Sequence, residues 1–346
     1  MHMADALITP AVGGVMMAAS AGAIGYSVKK VKEELDEKKV PLMGVMGAFV
    51  FAGQMINFTI PATGSSGHIG GGILLAALLG PYAAFLVLSA VLFIQALFFA
   101  DGGLLAIGCN IFNLGFYACF LAYPLIYKQI IGKTYTAKRV TIGTVIAVVA
   151  GLQLGAFSVV LETVISGVTE LPFASFVLLM QPIHLAIGLV EGIATAAVLC
   201  FVLKANPTLL DGYAAGVNIN AEKAVMPRKK VVTILLVAAI VIGGFVSLFA
   251  SGYPDGLEWS MEGVAGTAEL EAEGNVHSAA EGIQERTAFL PDYGFKNGDE
   301  SSAMAGTSAS GMIGGGITLG VACLAGYLIS ISKKKKYNAK PNNVSQ

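Results

Sequence analysis

A chain of 346 residues in which 55% are hydrophobic and only 12% charged falls well below the roughly 25% charge of a soluble domain. Its mean hydropathy of +0.73 places most of it in lipid, and its net charge of −1 excludes the basic footprint of a nucleic-acid binder. Cys109, Cys119, Cys200 and Cys323 lie in apolar stretches with no C-x-x-C pair, so they read as small packing residues rather than a metal or redox motif.

The chain opens Met1-His2-Met3-Ala4-Asp5 with no basic stretch ahead of its first apolar segment. The expectation is therefore a membrane span at 6–28 rather than a cleaved leader. Further stretches long enough to cross fall at 40–60, 81–100, 103–127, 139–165, 173–203, 231–251 and 311–332, and a shorter apolar piece at 71–80 is set off by Gly80-Pro81. Segments 29–39, 128–139 and 204–230 and the tail from Lys333 hold 19 of the 21 Lys and Arg, which places them in the cytoplasm. Three crossings are needed between 61–70 and 128–139, so the break at Gly80-Pro81 has to divide two helices.

The expected fold is thus an all-α polytopic membrane protein of nine transmembrane helices, N-terminus outside and C-terminus cytoplasmic, in a prokaryotic plasma membrane. Residues 1–205 form a seven-helix unit, 206–228 a cytoplasmic linker and 229–346 a two-helix unit. Segment 252–310 has eleven acidic residues against Arg286 and Lys296. It falls outside, and its Gly, Ala, Ser and Glu content reads as a loosely ordered loop, with His277 as a solvated side chain.

Two histidines carry the chemistry. A histidine at position 2 lets the chain-start amine, the amide nitrogen between residues 1 and 2 and the imidazole Nδ1 close two chelate rings on one ion. Amine and amide must shed protons to bind, and three in-plane nitrogens suit Ni(II) or Cu(II). His68, in the Gly- and Ser-rich run Pro61 to Gly72 on the same predicted side, offers a fourth nitrogen from a backbone able to approach a small ligand closely. Gln95, Asp101, Asn110 and Asn113 form a polar cluster that either bonds neighbouring helices or orients the His68 ring. Asp101 also sits where it attracts cations at the outer mouth. His184 and Glu191 are ionisable groups within a span. Ala19-x-x-x-Ala23 and Ala147-x-x-x-Gly151-x-x-x-Gly155 mark close helix contacts. Gly132-Lys133-Thr134 is no P-loop, because Tyr127 stands where its first glycine belongs.

Met1 to Leu7, Ser65-Ser66-Gly67-His68, Gln95 to Gly103, Asn110-Ile111-Phe112-Asn113 and the Ile183–Gly192 stretch together resemble the CbiM/NikM family. These are the substrate-capture components of cobalt and nickel energy-coupling-factor transporters. The likeness covers roughly 1–205. From about 229 onward, with Pro254-Asp255-Gly256-Leu257-Glu258 after a span, the chain is similar to the small accessory component, fused here. The resemblance implies that Met1, His2 and His68 hold the metal through nitrogen. It implies as partners a transmembrane coupling subunit, with Ala19 and Ala23 as its contact, and separate ATPase subunits. The chain itself is then no enzyme and has no resident cofactor, with Ni(II) or Co(II) as cargo. Cobalt members often begin Met-His-Ile, whereas Met3-Ala4-Asp5 follows here; the planar donor set favours nickel. Two other readings stay open: an ion-coupled secondary transporter using His184 and Glu191, and a membrane assembly protein without substrate.

Overall fold

The computed structural model describes residues 1–34, 39–132, 134–168, 171–211, 224–268, 270, 274–298 and 302–338. Most of the expected linker, 212–223, lies outside the described residues, as do Lys133 and the end of the tail. The chain is mostly helical. Helix α1 spans Pro10–Glu34, α2 Val40–Gln54, α3 Gly72–Leu79, α4 Pro81–Phe99, α5 Ile107–Ile131, α6 Ala137–Ser166 and α7 Phe173–Ala205. In the second unit α8 spans Arg228–Gly244, α9 Gly256–Ala265, α10 Asn275–Thr287 and α11 Ala303–Asn338. Six of these, α1, α4, α5, α6, α7 and α11, are long and apolar enough to cross a membrane, and the protein is a multi-pass membrane protein.

The first expected span begins late. Pro10 opens α1, where its missing N–H costs nothing, and the residues ahead of it turn back into the protein, leaving Met1, Met3, Leu7 and Ile8 buried. The second expected span also stops early. α2 ends at Gln54, and a hairpin of β1 (Phe58–Ile60) and β2 (Ser65–Gly67) follows, antiparallel with Thr59 opposite Ser66. The break between α3 and α4 falls at Gly80, whose φ of 86° is a conformation glycine adopts without steric cost.

α2 and α3 occupy the centre, with every residue of α3 buried. α7 packs along α6, with Gly188 and Gly192 against the backbone of Val149 and Val145. Gly151 and Gly155 of the small-residue stripe on α6 lie against α5, so that stripe packs within the chain. α5 is wound as a wider π-helix from Phe112 to Tyr127, around Pro124. α8 and α11 pack on α2, and Gly243 and Gly311 bring their own backbones together.

The stretch 252–310 departs from the loose loop expected of it. Asp255 caps α9 and Glu258 returns the bond to the Asp255 N–H, a complete capping box. Leu257, Met261 and Leu290 are buried. Trp259 Nε1 donates to Thr63 O (3.0 Å), and Gln284 Nε2 donates to Ala96 O and Gly102 O (2.8 Å each). His277, expected in solvent, is buried and its Nε2–H donates to Ile8 O (2.9 Å). The second unit is therefore built onto the end of the first that carries the chain start and the β1–β2 hairpin.

Candidate metal centre

Among the described residues no three His, Cys, Asp or Glu side chains converge as a metal cluster. The chain start brings nitrogen donors of another kind close to a histidine. Met1 N lies 2.9 Å from His68 Nε2, although 67 residues separate them in sequence. The His68 Nδ1–H donates to Ile69 O (3.1 Å), which fixes the tautomer and leaves the Nε2 lone pair facing Met1. Burial, and then the Met1 ammonium, lower the His68 pKa to about 3, so its ring is neutral across the physiological range. The rings of His2 and His68 stack at 4.9 Å with 9° between planes.

Hydrogen bonds hold the chain start in place. Met3 N–H donates to Asn110 Oδ1 (2.7 Å), and Met3 O accepts from Asn110 Nδ2 (3.1 Å) and from Gly103 N–H (2.9 Å). A side chain on Gly102, with φ at 84°, would come within 2.8 Å of Asn110 Nδ2 and 3.3 Å of His2 Cβ. His2 Nδ1 meets Asp101 Oδ1 at 2.8 Å, and the Tyr293 hydroxyl donates to the other Asp101 oxygen. Burial favours the neutral acid at Asp101, but His2 and Tyr293 outweigh it and hold the carboxyl below the usual carboxylate range.

The polar cluster expected around His68 is arranged differently. Asn110 holds Met3, Asp101 holds His2, Gln95 donates to Tyr293 Oη (3.1 Å) and Asn113 donates to Glu162 (2.7 Å). None of the four is bonded to the His68 ring. Its loop is instead pinned just beyond, where Gly71 N–H donates to Glu191 Oε1 (2.9 Å) and Gln54 Nε2 donates to Gly70 O (3.0 Å). His184 is buried on α7, with Nδ1–H donating to Met180 O (2.8 Å) and no partner for Nε2 among the described residues. Ala19 is exposed and Ala23 half-buried on α1, away from this cluster.

Residues 2–209 match the family described as the cobalt uptake substrate-specific transmembrane region, CbiM. The chain belongs to the CbiM family. Residues 229–331 match the PDGLE domain, so a CbiM region and a PDGLE domain share one chain. A protein of Haloquadratum walsbyi named for metal transport is 34% identical over 210 residues, 61% of this chain and 93% of that one. A protein of Archaeoglobus fulgidus named as a fused nickel transport protein is 34% identical over 222 residues, 62% of this chain and 70% of its own length. A crystal structure described as a truncated transition metal transporter superposes with a TM-score of 0.52 at 33% identity, covering 59% of this chain and 98% of that one.

Sequence reasoning missed what the PDGLE domain brings to the CbiM region. A cavity of about 770 Å³ opens over the chain start, with His2, His68, Asp101, Asp255, Glu258 and Tyr293 in its wall. Asp255, quoted as part of a domain signature, has Oδ2 2.5 Å from Met1 N. Its signal was in the sequence as the Asp-x-x-Glu capping box, but nothing local ties residue 255 to residue 1.

Proposed function

We propose that this CbiM-family chain is the cargo-capture subunit of an ATP-driven metal importer, taking Ni(II), or Co(II) as the next choice, from outside the cell. The approach of Met1 N to His68 Nε2 at 2.9 Å carries the reading, because it gathers the first and fourth nitrogens of the chelate. The ion sheds water and binds the Met1 amine, the deprotonated His2 amide, His2 Nδ1 and His68 Nε2. The His2 ring turns from Asp101 to bring Nδ1 into that plane. A planar four-nitrogen set suits Ni(II), which also lies above Co(II) in the usual affinity order. No nucleotide site is encoded in the chain, so ATP is hydrolysed on separate subunits. A membrane coupling subunit then docks on α1 at Ala19 and Ala23.

In this reading residues 1–205 capture the ion, 206–228 link, and 229–346 form the accessory unit. Nine crossings, with the shorter α2, α3 and α8 included, put the N-terminus outside and the tail inside, as the distribution of Lys and Arg requires.

The test is metal analysis of protein whose native start has been verified by intact mass, beside a version extended by one residue and a His68→Ala variant. The native chain is expected to hold one Ni(II); the extension and His68→Ala are expected to hold none. Equal metal in all three sinks the reading. Because amine and amide must lose protons, capture should also weaken as pH falls from about 8 to about 5, and a flat titration counts against the chelate.

Ion-coupled secondary transport draws on one observation, the buried His184 Nε2 without a partner. Against it, the Glu191 carboxylate is engaged by Gly71 N–H rather than by a transported ion's path. Uptake into vesicles that contain no ATPase subunit would favour that second mechanism.

A further inference from the structure

We infer that Asp255 of the PDGLE domain is the positioning residue of the capture site, holding the chain-start amine against His68; this rests on the capture reading above. Asp255 divides its two oxygens between two tasks. Oδ1 accepts from Leu257 N–H (2.7 Å) and Glu258 N–H (3.0 Å) and so caps α9. Oδ2 faces away from its own helix to the Met1 ammonium at 2.5 Å and lies 3.9 Å from His68 Nε2.

Two observations make this more than a chance ion pair. The first is that the carboxylate is fixed relative to the ligand loop. Ser66 N–H donates to Pro254 O (2.8 Å) and the Ser66 hydroxyl donates to Tyr253 O (2.8 Å), so the residues just ahead of Asp255 are bonded to β2, two positions before His68. One rigid patch therefore presents the carboxylate and the imidazole together. The second is the nature of the ligand being held. A chain start is ordinarily the least ordered part of a protein, and a chelate built on it must first overcome that freedom. Supplying the order in advance lowers the cost of binding.

The charge also matches at both stages. An ammonium carries one positive charge, and so does a divalent ion bound to one deprotonated amide. The same carboxylate is a suitable partner for each, and the amine need not be released from its place as the ion takes over. Through this side chain the accessory unit contributes to capture without itself supplying a ligand.

Asparagine caps helices as well as aspartate does, so Asp255→Asn removes the charge while preserving α9. The experiment uses the full chain with a verified native start, reconstituted in lipid nanodiscs, and Ni(II) alone as probe. Asp255→Asn is expected to bind Ni(II) about 10- to 100-fold more weakly, the range seen when a partner of a metal ligand is removed. The loss should divide between slower loading and faster release, because the carboxylate partners first the amine and then the loaded ion, with the visible absorption spectrum of the loaded chain unchanged. Asp255→Ala should lose affinity equally and also lower thermal stability through the lost cap. Equal loading by Asp255→Asn and the parent overturns the inference. A changed spectrum overturns it too, by making Asp255 a ligand. A parent chain that takes up no ion removes the capture reading as well, which distinguishes that failure from a parent and variant that load alike.

Discussion

Met1, Met3, Leu7 and Ile8 of the chain start are buried and the start is held by hydrogen bonds, whereas α1, which follows directly, is the least buried of the six long apolar helices. Only 17% of its apolar window lies inside, against 33–67% for the other five. Along its outer side Gly14, Gly22 and Gly25 have open space where a Cβ would go. Lipid is satisfied by large apolar side chains, but close helix contact is what small ones permit. The difference teaches that two kinds of recognition stand side by side. The chain start is shaped by polar bonds within the molecule, whereas the small residues of α1 face open space, which is the surface a partner helix would use in the proposed reading.

The largest expected effect comes from the clasp on the buried side. Asn110→Leu removes the acceptor of Met3 N–H, while Met3 O keeps its bond from Gly103. A stranded buried donor costs about 1–3 kcal/mol, which thermal unfolding in detergent would read. The chelate also loses its register, so Ni(II) affinity should drop about 10- to 100-fold. An Asn110→Leu chain that binds as the parent does would show that the start is held by packing alone. Gly102→Ala should follow, at about 1–3 kcal/mol from the left-handed φ, with weaker binding because its new methyl crowds His2 and Asn110. If Gly102→Ala is neutral in both assays, close approach at this turn is not what seats the start.

Much of this site was legible from two histidines. A position-2 histidine is a chelator by covalent geometry alone, and the Gly-Ser loop around His68 announces a backbone built for close approach. What stayed hidden was which polar residue serves which neighbour. Asn110 and Asp101 were visible as polar groups at or near spans, but a one-dimensional pattern cannot show that they hold Met3 and His2 rather than His68. The start of α1 was misplaced because hydropathy counts apolar residues without knowing that those ahead of Pro10 turn inward. Segment 252–310 was misread for a different reason. Its Ala and Glu are as much helix formers as they are disorder formers, and only the Asp255–Glu258 capping box tips the balance.

The exposed arm of the comparison predicts a split between two readouts. Ala19→Leu adds bulk at an exposed position, whereas Ala23→Leu adds it at a half-buried one that also packs against the core, so Ala19→Leu is the cleaner test. For Ala19→Leu stability should change by no more than about 0.5 kcal/mol, and Ni(II) binding by purified protein should be unchanged. Uptake by cells carrying the coupling and ATPase subunits should fall, because the added side chains hold the partner helix away. Loss of binding in either variant would move α1 from the docking side of the comparison to the capture side.

The smallest effect is expected at the opposite end of the molecule, where contacts are redundant rather than single. Asp211 accepts from the Tyr123 hydroxyl (2.9 Å) and pairs with Lys39 (3.2 Å) and Lys128 (3.5 Å). Lys39→Gln removes one of three partners from a carboxylate in contact with solvent, and pairs of that kind contribute about 0–1 kcal/mol. Thermal stability should shift within that range and shrink further with added salt. Ni(II) affinity should not move, because no bond of the chain start passes through Asp211. The contrast with Asn110 is one of redundancy. Met3 N–H has one acceptor and nowhere to turn when it is lost, whereas Asp211 keeps two donors. A Lys39→Gln chain with impaired capture would mean that the Asp211 end and the metal centre are energetically linked, and the two ends could no longer be treated as separate.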